Sequence, residues 1–287
     1  MTTWTTGKVL DWAAADFAKR AFERPRFEAE VLLAHVLDCR RLDLYTGFDR
    51  PLANDELTAY RETISRRRAG EPAAYVTGEK EFWSLEFEVN RHVLVPRPET
   101  EILVEAVLNR VSNAGRILDL CTGSGCVAAS LASERPEVEV DAVDISKEAC
   151  EVARRNIERH GLSDRVHVIE GDLFEPIPSG RTYSVIAANP PYVPENEIDG
   201  LDVEVRKEPR LALAAGSDGL DVIRRIVSET PRFLEPNGRL LLEIDPRQTE
   251  ALTNDIGPNV LGVKGEIIRD LAGRDRVISW QIPTSTS

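Results

Sequence analysis

The sequence contains little cysteine, and its cysteines lack the spacing of a metal site or a disulfide framework. Four cysteines occur in 287 residues, at Cys39, Cys121, Cys126 and Cys150. None of them forms a CxxC pair, and no histidine accompanies them in a metal-ligand pattern. We therefore expect reduced thiols, no structural zinc and no other bound metal.

The sequence also lacks any apolar run long enough to cross a bilayer. Its start, MTTWTTGKVLDWAAADFAKR, does not show the basic-then-apolar order of a signal peptide. Hydrophobic residues make up 42% of the chain and charged residues 30%, as in ordinary globular proteins. We expect a cytoplasmic protein with no membrane partner, and a length of 287 residues favours two domains.

Positive charge is scarce in most of the chain. The first 70 residues carry 12 Lys and Arg against 11 Asp and Glu, whereas the remaining 217 carry 24 against 38. A polyanion would be repelled by such a surface, because phosphate contacts need Lys and Arg. We therefore expect no direct contact with nucleic acid.

The first 70 residues have the pattern of helices. Apolar side chains in 27-FEAEVLLAHVL-37 recur with the i, i+3, i+4 spacing of an amphipathic helix. A second helix is predicted over residues 54–70, with Asn54 as the N-cap and Gly70 as the stop. Its Arg66-Arg67-Arg68 run predicts a solvated face, or alternatively a contact for an acidic protein. Alternation in 82-FWSLEFEVN-90 then predicts a β-hairpin linker over residues 71–95.

From residue 96 to residue 287 the pattern alternates between strands and helices, which predicts an α/β domain. Seven strands are expected, and the last two, within 263–282, form an antiparallel edge pair. The others are expected at 116–120, 138–144, 166–172, 183–189 and 239–244. The order implies a mostly parallel sheet with helices on both faces.

Three of these strands end in residues suited to a nucleoside. Gly123 and Gly125 follow the first strand, where missing side chains let a ligand approach the backbone. Asp144 ends the second strand, 19 residues after Gly125, where a carboxylate can accept both ribose hydroxyls. Asp172 ends the third. The glycines do not form GxGxxG and no Walker lysine follows, so a phosphate-free nucleoside such as S-adenosylmethionine is favoured over a dinucleotide or a triphosphate.

The fourth strand ends in 189-NPPY-192, a segment with few backbone donors. Pro190 and Pro191 have no N–H, and Asn189 and Pro190 each precede a proline, which favours extended backbone. The Asn189 side-chain oxygen and the Pro190 carbonyl would therefore accept from a planar –NH₂ group, and Tyr192 could cover that group from one face. A rigid surface turn is the alternative interpretation.

The chain resembles the HemK-like glutamine methyltransferases that modify peptide chain release factors. The resemblance lies in PRFEAEVLLAHVL, GEPAAYVTGEKEFWSLEFEV, VLVPRPETE, LDLCTGSGC, NPPYVPE, EPRLALAAGSDGLD and RDLAGRDRV. It implies a seven-stranded Rossmann-like methyltransferase domain behind an N-terminal helical domain, 1–70, that docks the release factor. It also implies methyl transfer from S-adenosylmethionine, leaving S-adenosylhomocysteine, to the glutamine of the bacterial-type GGQ motif.

The resemblance further implies roles for individual residues. The glutamine would be held by Asn189, Pro190, Pro191 and Tyr192. The cofactor would be held by Cys121, Thr122, Gly123, Ser124, Gly125, Asp144, Asp172, Leu173 and Asn189. The loop with Arg97, Glu99 and Thr100 is expected to be a lid over the cofactor, and the protein is expected to be a monomer.

Two positions depart from the family pattern, and two other functions stay open. Cys121 stands where many relatives have glycine, and Asp245 replaces a glycine common after Glu-Ile. Adenine-N6 methyltransferases that act on nucleic acid use a tetrapeptide similar to NPPY, so this activity is one alternative. A module that binds translation factors without catalysis is the other alternative, because both departures lie at the expected site.

Overall fold

The computed structural model describes residues 3–111 and 114–282. Packing divides these residues into two compact units. One contains the described residues up to Gly78 together with Asp202–Lys207, and the other contains Glu79–Leu201 and the described residues from Glu208 onward. In the described ranges no helix is both long and apolar enough to span a membrane. The functional division into docking domain, linker and catalytic domain stays a prediction.

The first unit is helical. Its α-helices are α1 (Thr6–Lys19), α2 (Pro25–Val36), α3 (Asp43–Thr46), α4 (Asn54–Arg68) and α5 (Ala73–Thr77). The core forms where apolar positions three and four apart lie on one helix face, as Leu10, Ala13 and Phe17 do on α1 and as Ala29 does with Leu32 and Leu33 on α2. The two helices predicted from periodicity are thus present, and α5 is an additional short helix inside the segment expected to be linker.

Two details of α4 correct the sequence interpretation. Asn54 is the first helical residue and Ala53 is the N-cap, whose N–H donates 2.8 Å to the Glu56 carboxylate. The arginine run is not a solvated face, because Arg67 is only 2% exposed and pairs with Glu28 at 2.8 Å and with Glu204. One helical turn directs neighbouring side chains to different faces, and this turn directs Arg67 to the interior.

The predicted hairpin is present at the start of the second unit. Strands β1 (Glu79–Phe82) and β2 (Leu85–Glu88) pair antiparallel, with Trp83 and Ser84 in the turn at φ +51° and +59°. Two left-handed residues give the turn the twist that a two-residue hairpin requires. Phe82 and Phe87 are buried and pack edge to face, 6.2 Å between ring centroids.

The second unit contains a seven-stranded sheet, as predicted. Its strands are β3 (Ala114–Leu120), β4 (Glu137–Asp144), β5 (Val166–Glu170), β6 (Tyr183–Ala188), β7 (Leu234–Glu243), β8 (Glu266–Arg269) and β9 (Asp275–Gln281). They lie in the order β5-β4-β3-β6-β7-β9-β8, and pairing is parallel except along β9. The α-helices that accompany the sheet are α6 (Glu101–Leu108), α7 (Cys126–Glu134), α8 (Lys147–Arg159), α9 (Asp221–Glu229), α10 (Thr249–Ala251) and α11 (Gly257–Leu261).

The strand order places a crevice in the middle of the sheet. From β3 the chain adds β4 and β5 on one side and then returns to add β6 and β7 on the other. In open α/β sheets the ligand binds where the order reverses, outside the carboxyl ends of the strands. The expected site residues follow β3, β4, β5 and β6, and their strands are neighbours, so the fold brings these residues to one edge.

Candidate active site

A cavity of about 270 Å³ lies at this edge of the sheet. Most residues predicted to hold a cofactor or a substrate line it, namely Cys121, Thr122, Gly123, Ser124, Asp144, Asp172, Leu173, Asn189 and Pro191. Three predicted residues do not. Gly125 is the N-cap of α7. Pro190 is buried between Asn189 and Pro191 in the chain, both of which do line the cavity, and Tyr192 borders a second cavity.

The loop after β3 needs left-handed backbone at three positions. Cys121, Gly123 and Gly125 have φ of +59°, +56° and +79°. A Cβ on Gly125 would lie 3.2 Å from the Cβ of Ala153, so glycine also gives α7 room against α8. The left-handed backbone of Cys121 costs about 1–2 kcal/mol, because the residue has a Cβ. Its side chain packs against the hydrophobic core. The departure at Cys121 therefore leaves the course of the loop intact.

Asp144 presents two carboxylate oxygens to the cavity. Oδ2 accepts the Gly123 N–H at 2.8 Å and Oδ1 accepts the Ser146 N–H at 2.9 Å. Burial raises the pKa of Asp144, and the backbone N–H donors partly oppose the shift. Ser146 caps α8 by accepting from Ala149 at 3.1 Å, so Asp144 is not needed as the helix cap. Since each carboxylate oxygen has a further lone pair, both can still accept from a ligand.

Asp172 and Asp119 differ in how their charge is supported. The Oδ2 atom of Asp172 lies 2.9 Å from the guanidinium of Arg225, a cavity residue that sequence reasoning did not identify. Asp119 is 1% exposed, and burial raises its pKa to about 7 although Thr122 donates to it at 2.6 Å. The site thus contains one carboxylate paired with a cation and one whose pKa is raised by burial.

Asn189 is held by a residue predicted to belong to a lid. Its Nδ2 atom donates 3.1 Å to the hydroxyl of Thr100, which is only 2% exposed. Nearby, Arg97 pairs with the buried carboxylate of Glu208, which also accepts the Val95 N–H at 3.3 Å. The segment that was expected to cover the cofactor is therefore fixed at both of these points, and Thr100 supports Asn189.

Tyr192 is anchored through its backbone. The Gln248 side-chain amide donates 2.8 Å to the Gly219 carbonyl and 3.4 Å to the Tyr192 carbonyl. The next residue, Val193, forms a parallel bridge with Ala214. Burial raises the pKa of the Tyr192 hydroxyl to about 12, so the ring stays neutral at physiological pH. The 208–221 segment thus supports the NPPY backbone.

Asp245 stabilises this support. It caps the 3₁₀ turn Pro246–Gln248 by accepting the Arg247 N–H at 2.8 Å, while its own N–H donates to Gln248 Oε1 at 3.1 Å. Partial burial raises the pKa of Asp245 and hydrogen bonds from Arg247 lower it, with a net decrease. The Asp245 carboxylate is therefore paired with Arg247, and the Asp245 backbone N–H holds the Gln248 side chain whose amide reaches Tyr192.

Gly219→Ala is expected to reduce both stability and activity. Gly219 has φ +76°, and a Cβ there would overlap the Tyr192 carbonyl oxygen. The left-handed backbone costs about 1–2 kcal/mol, and the overlap adds about 1–3 kcal/mol by displacing NPPY. Urea unfolding and methyl-transfer kinetics measure the two effects.

The matched control is Gly273→Ala, at φ +77° with open space around an added Cβ. It should show only the backbone cost and retain the transfer rate. Equal losses of transfer rate in the two variants would contradict a role for Gly219 in supporting Tyr192.

Comparison with known proteins decides the family. The PrmC N-terminal domain model matches residues 8–78, and the methyltransferase small domain model matches residues 98–204. The release factor glutamine methyltransferase of Rhodopirellula baltica is 38% identical over 288 residues, covering 98% of this chain and 97% of that one. The chain belongs to the release factor glutamine methyltransferase family.

Two further comparisons agree with this family. The release factor glutamine methyltransferase of Geobacter sulfurreducens is 44% identical over 250 residues, covering 87% of each chain. A Thermus thermophilus 16S rRNA methyltransferase, solved with AdoMet and guanosine, superposes with a TM-score of 0.53 at 18% identity. That match covers 71% of this chain and 49% of the other, and it shows the shared fold.

The cavity fits the methyl donor of this family. Gly123 has nothing within 4 Å of an added Cβ and lines the cavity, so a side chain here would project into open space. Both carboxylate oxygens of Asp144, which lines the same cavity, keep acceptor capacity beyond their bonds to Gly123 and Ser146. Among residues 3–111 and 114–282 no group of three or more metal-ligating side chains is assembled.

Proposed function

We propose that this protein transfers a methyl group from S-adenosylmethionine to the side-chain amide nitrogen of the glutamine in the GGQ motif of release factors. The observation that carries the proposal is the orientation of Asn189. Its Nδ2 atom donates to Thr100, which leaves Oδ1 as the amide atom available to accept from a ligand in the cavity. An acceptor at this position suits a substrate that brings N–H donors.

The residues of NPPY would activate the substrate amide by fixing its plane. An amide nitrogen is a weak nucleophile because its lone pair is delocalised into the carbonyl. Asn189 Oδ1 and the Pro190 carbonyl would each accept one of its two hydrogens, which stabilises the positive charge that develops on nitrogen. Pro191 keeps the backbone rigid, and Tyr192 contributes a neutral ring beside the flat group.

The atoms of the reaction balance without a dedicated general base. S-adenosylmethionine, when bound, supplies an electrophilic methyl group whose bond to sulfur breaks as the bond to nitrogen forms. S-adenosylhomocysteine is the leaving group, and the glutamine nitrogen releases one proton to solvent. This chain's contribution is to bind, to orient and to exclude water.

Cofactor binding is assigned to the loop after β3 and to the acids at the strand ends. In this proposal Asp144 accepts the ribose hydroxyls, and the backbone from Cys121 to Gly125, with Thr122 and Ser124, surrounds the remainder. Asp172, Leu173 and Asn189, which also line the cavity, would complete the cofactor site. The helical residues 1–70 would dock the release factor, and the protein would act as a cytoplasmic monomer without nucleic acid.

Incubation with labelled S-adenosylmethionine and release factor tests the proposal. Wild-type release factor should be labelled, and a release factor whose GGQ glutamine is replaced should not. Equal labelling of both would overturn the assignment of the acceptor.

Two added arms separate the alternatives. Methyl incorporation into DNA or RNA that weakens with added salt would favour an adenine-N6 methyltransferase. Cofactor binding with no transfer to any of these substrates would favour a non-catalytic module.

A further inference from the structure

Arg225 lines the cavity beside Asp172, and the proposed function gives it no role. It lies on α9, and its Nη2 atom is 2.9 Å from the Oδ2 atom of Asp172. The side chains of Arg225 and Asp172 are 47% and 30% exposed, and an ion pair as exposed as this contributes little to folding stability. Stability is therefore a weak reason for a cation at this position, and a role towards the ligand is the better one.

The strand order determines how the polar groups are arranged along the cavity. Asn189, Asp144 and Asp172 follow β6, β4 and β5, and the order of these strands in the sheet is β5-β4-β3-β6. Adjacent strands lie about 4.8 Å apart. Asp172 therefore follows the strand next to that of Asp144, on the side away from Asn189.

In the proposed function this arrangement matches the parts of the cofactor. The reacting methyl group is at Asn189 and the ribose is at Asp144. The base and the sulfonium are attached to opposite ends of the ribose, so the base extends away from Asn189, towards the end of β5. Adenine carries an exocyclic amino group, which donates. An ionised Asp172 can only accept, and it therefore suits that group.

Arg225 restricts the orientation of the Asp172 carboxylate. A guanidinium is planar and rigid, so it holds a carboxylate partner in a defined orientation. The contact uses Oδ2, and a carboxylate has about four lone-pair sites, so acceptor capacity is left for a ligand. A base that covers the pair also excludes water from it, which strengthens the attraction between the two charges.

We propose that Arg225 is a positioning residue for cofactor recognition: through its ion pair it holds the Asp172 carboxylate as the acceptor for the exocyclic amino group of the adenine base. The inference rests on the proposed function, because that function places an adenosine-containing cofactor in the cavity. Arg225 itself does not need to touch the base.

Binding of two reaction-product analogues tests this role. S-adenosylhomocysteine carries the exocyclic amino group, whereas S-inosylhomocysteine carries at the same position an oxo group, which can only accept. Calorimetric titration of the full chain gives both dissociation constants. The wild type should prefer the adenosyl compound by about 10-fold or more, the effect of one hydrogen bond to a charged group. A wild-type ratio near one would overturn the proposal.

Arg225→Met keeps most of the side-chain length and removes the charge, so the ratio of the two dissociation constants should fall to about three-fold or less. The matched control is Arg224→Met. Arg224 lies on the same helix, pairs with Asp218 and Asp221, and is not among the described residues that line this cavity. The control should keep the wild-type ratio. Equal ratios in the two variants, or a loss of both affinities by one common factor in Arg225→Met, would overturn the proposal.

The ratio is a readout that a purely structural role would not change. Both ligands bind the same folded state, so the folded fraction of a variant affects both affinities equally and cancels from the ratio. The melting temperature of Arg225→Met should also stay near that of Arg224→Met, because both substitutions remove exposed ion pairs.

Asp172→Asn tests whether Arg225 acts through the carboxylate. An amide can donate as well as accept, so the ratio should fall to about one in this variant. In the Asp172→Asn background, Arg225→Met should not change the ratio further. A further change would show that Arg225 acts on the base independently, and the route through Asp172 would be wrong.

These titrations need no turnover, so they separate failure of this inference from failure of the proposed function. A wild type that shows the expected ratios but does not methylate release factor would overturn the proposed function alone. A wild type that methylates release factor, with the same ratio in Arg225→Met, would overturn the inference alone.

Discussion

Asn189→Ala is expected to lower kcat for methyl transfer by about 100- to 1,000-fold, the range seen when one preorganised hydrogen-bonding group is removed from an active site. The substitution deletes the acceptor that would fix the substrate amide and stabilise charge on its nitrogen. The backbone of NPPY stays anchored through Gly219 and Gln248, so S-adenosylmethionine affinity should fall only modestly. Single-turnover kinetics and calorimetric titration of the cofactor measure the two quantities separately.

The control for this variant is Asn254→Ala, which removes an exposed amide from the π-helical segment Leu252–Ile256. It should have wild-type kinetics. A kcat for Asn189→Ala within a few-fold of wild type, or a cofactor affinity that falls as steeply as kcat, would contradict the role assigned to Asn189.

Asp144→Ala is expected to weaken S-adenosylmethionine binding by about 100-fold or more. Two hydrogen bonds to a charged group are lost, each contributing about 1.5–3 kcal/mol. The Gly123 N–H also loses its partner, so the loop after β3 is loosened in the same variant. Asp144→Asn keeps one acceptor oxygen and should fall between alanine and wild type. Calorimetric titration gives the affinities, and the rise in melting temperature at saturating cofactor provides a second estimate.

Glu170→Ala is the matched control for Asp144. Glu170 is exposed, pairs with Asp144 across β4 and β5, and its replacement removes the same charge from the same edge of the sheet. It should leave the affinity near that of wild type. An Asp144→Ala affinity within about three-fold of that of Glu170→Ala would contradict the role assigned to the Asp144 carboxylate.

The parts of the fold that sequence predicted are those set by local pattern. Runs of apolar residues marked the strands, and the antiparallel pair near the end followed from a Gly-containing turn between two short strands. The strand-end residues Gly123, Asp144, Asp172 and Asn189 could be grouped because parallel strands present their carboxyl ends at one edge. In the structure all four residues line one cavity.

The contacts that sequence could not predict join segments far apart in the chain. Thr100 and Asn189 are separated by 89 residues, and no periodicity relates them. The close approach of Gly219 to the Tyr192 carbonyl and the bridge between Val193 and Ala214 also join segments that no local pattern relates.

The arginine run of α4 is a feature for which the sequence interpretation was wrong. Three consecutive arginines suggest a solvated face, yet Arg67 is buried between Glu28 and Glu204. Burial of a charge is tolerated where partners are supplied, and the partners here come from distant parts of the first unit. The composition of such a run predicts exposure on average, whereas the burial of Arg67 depends on which carboxylates the fold brings next to it.

Methyl transfer to the glutamine amide is tested most directly by mass spectrometry of release-factor peptides after incubation with the enzyme and S-adenosylmethionine. The peptide that contains the GGQ motif should gain the mass of one methyl group, and fragmentation should place it on the glutamine side chain. A methyl group on any other residue, or an unmodified peptide in the presence of enzyme that binds the cofactor, would contradict the proposed function.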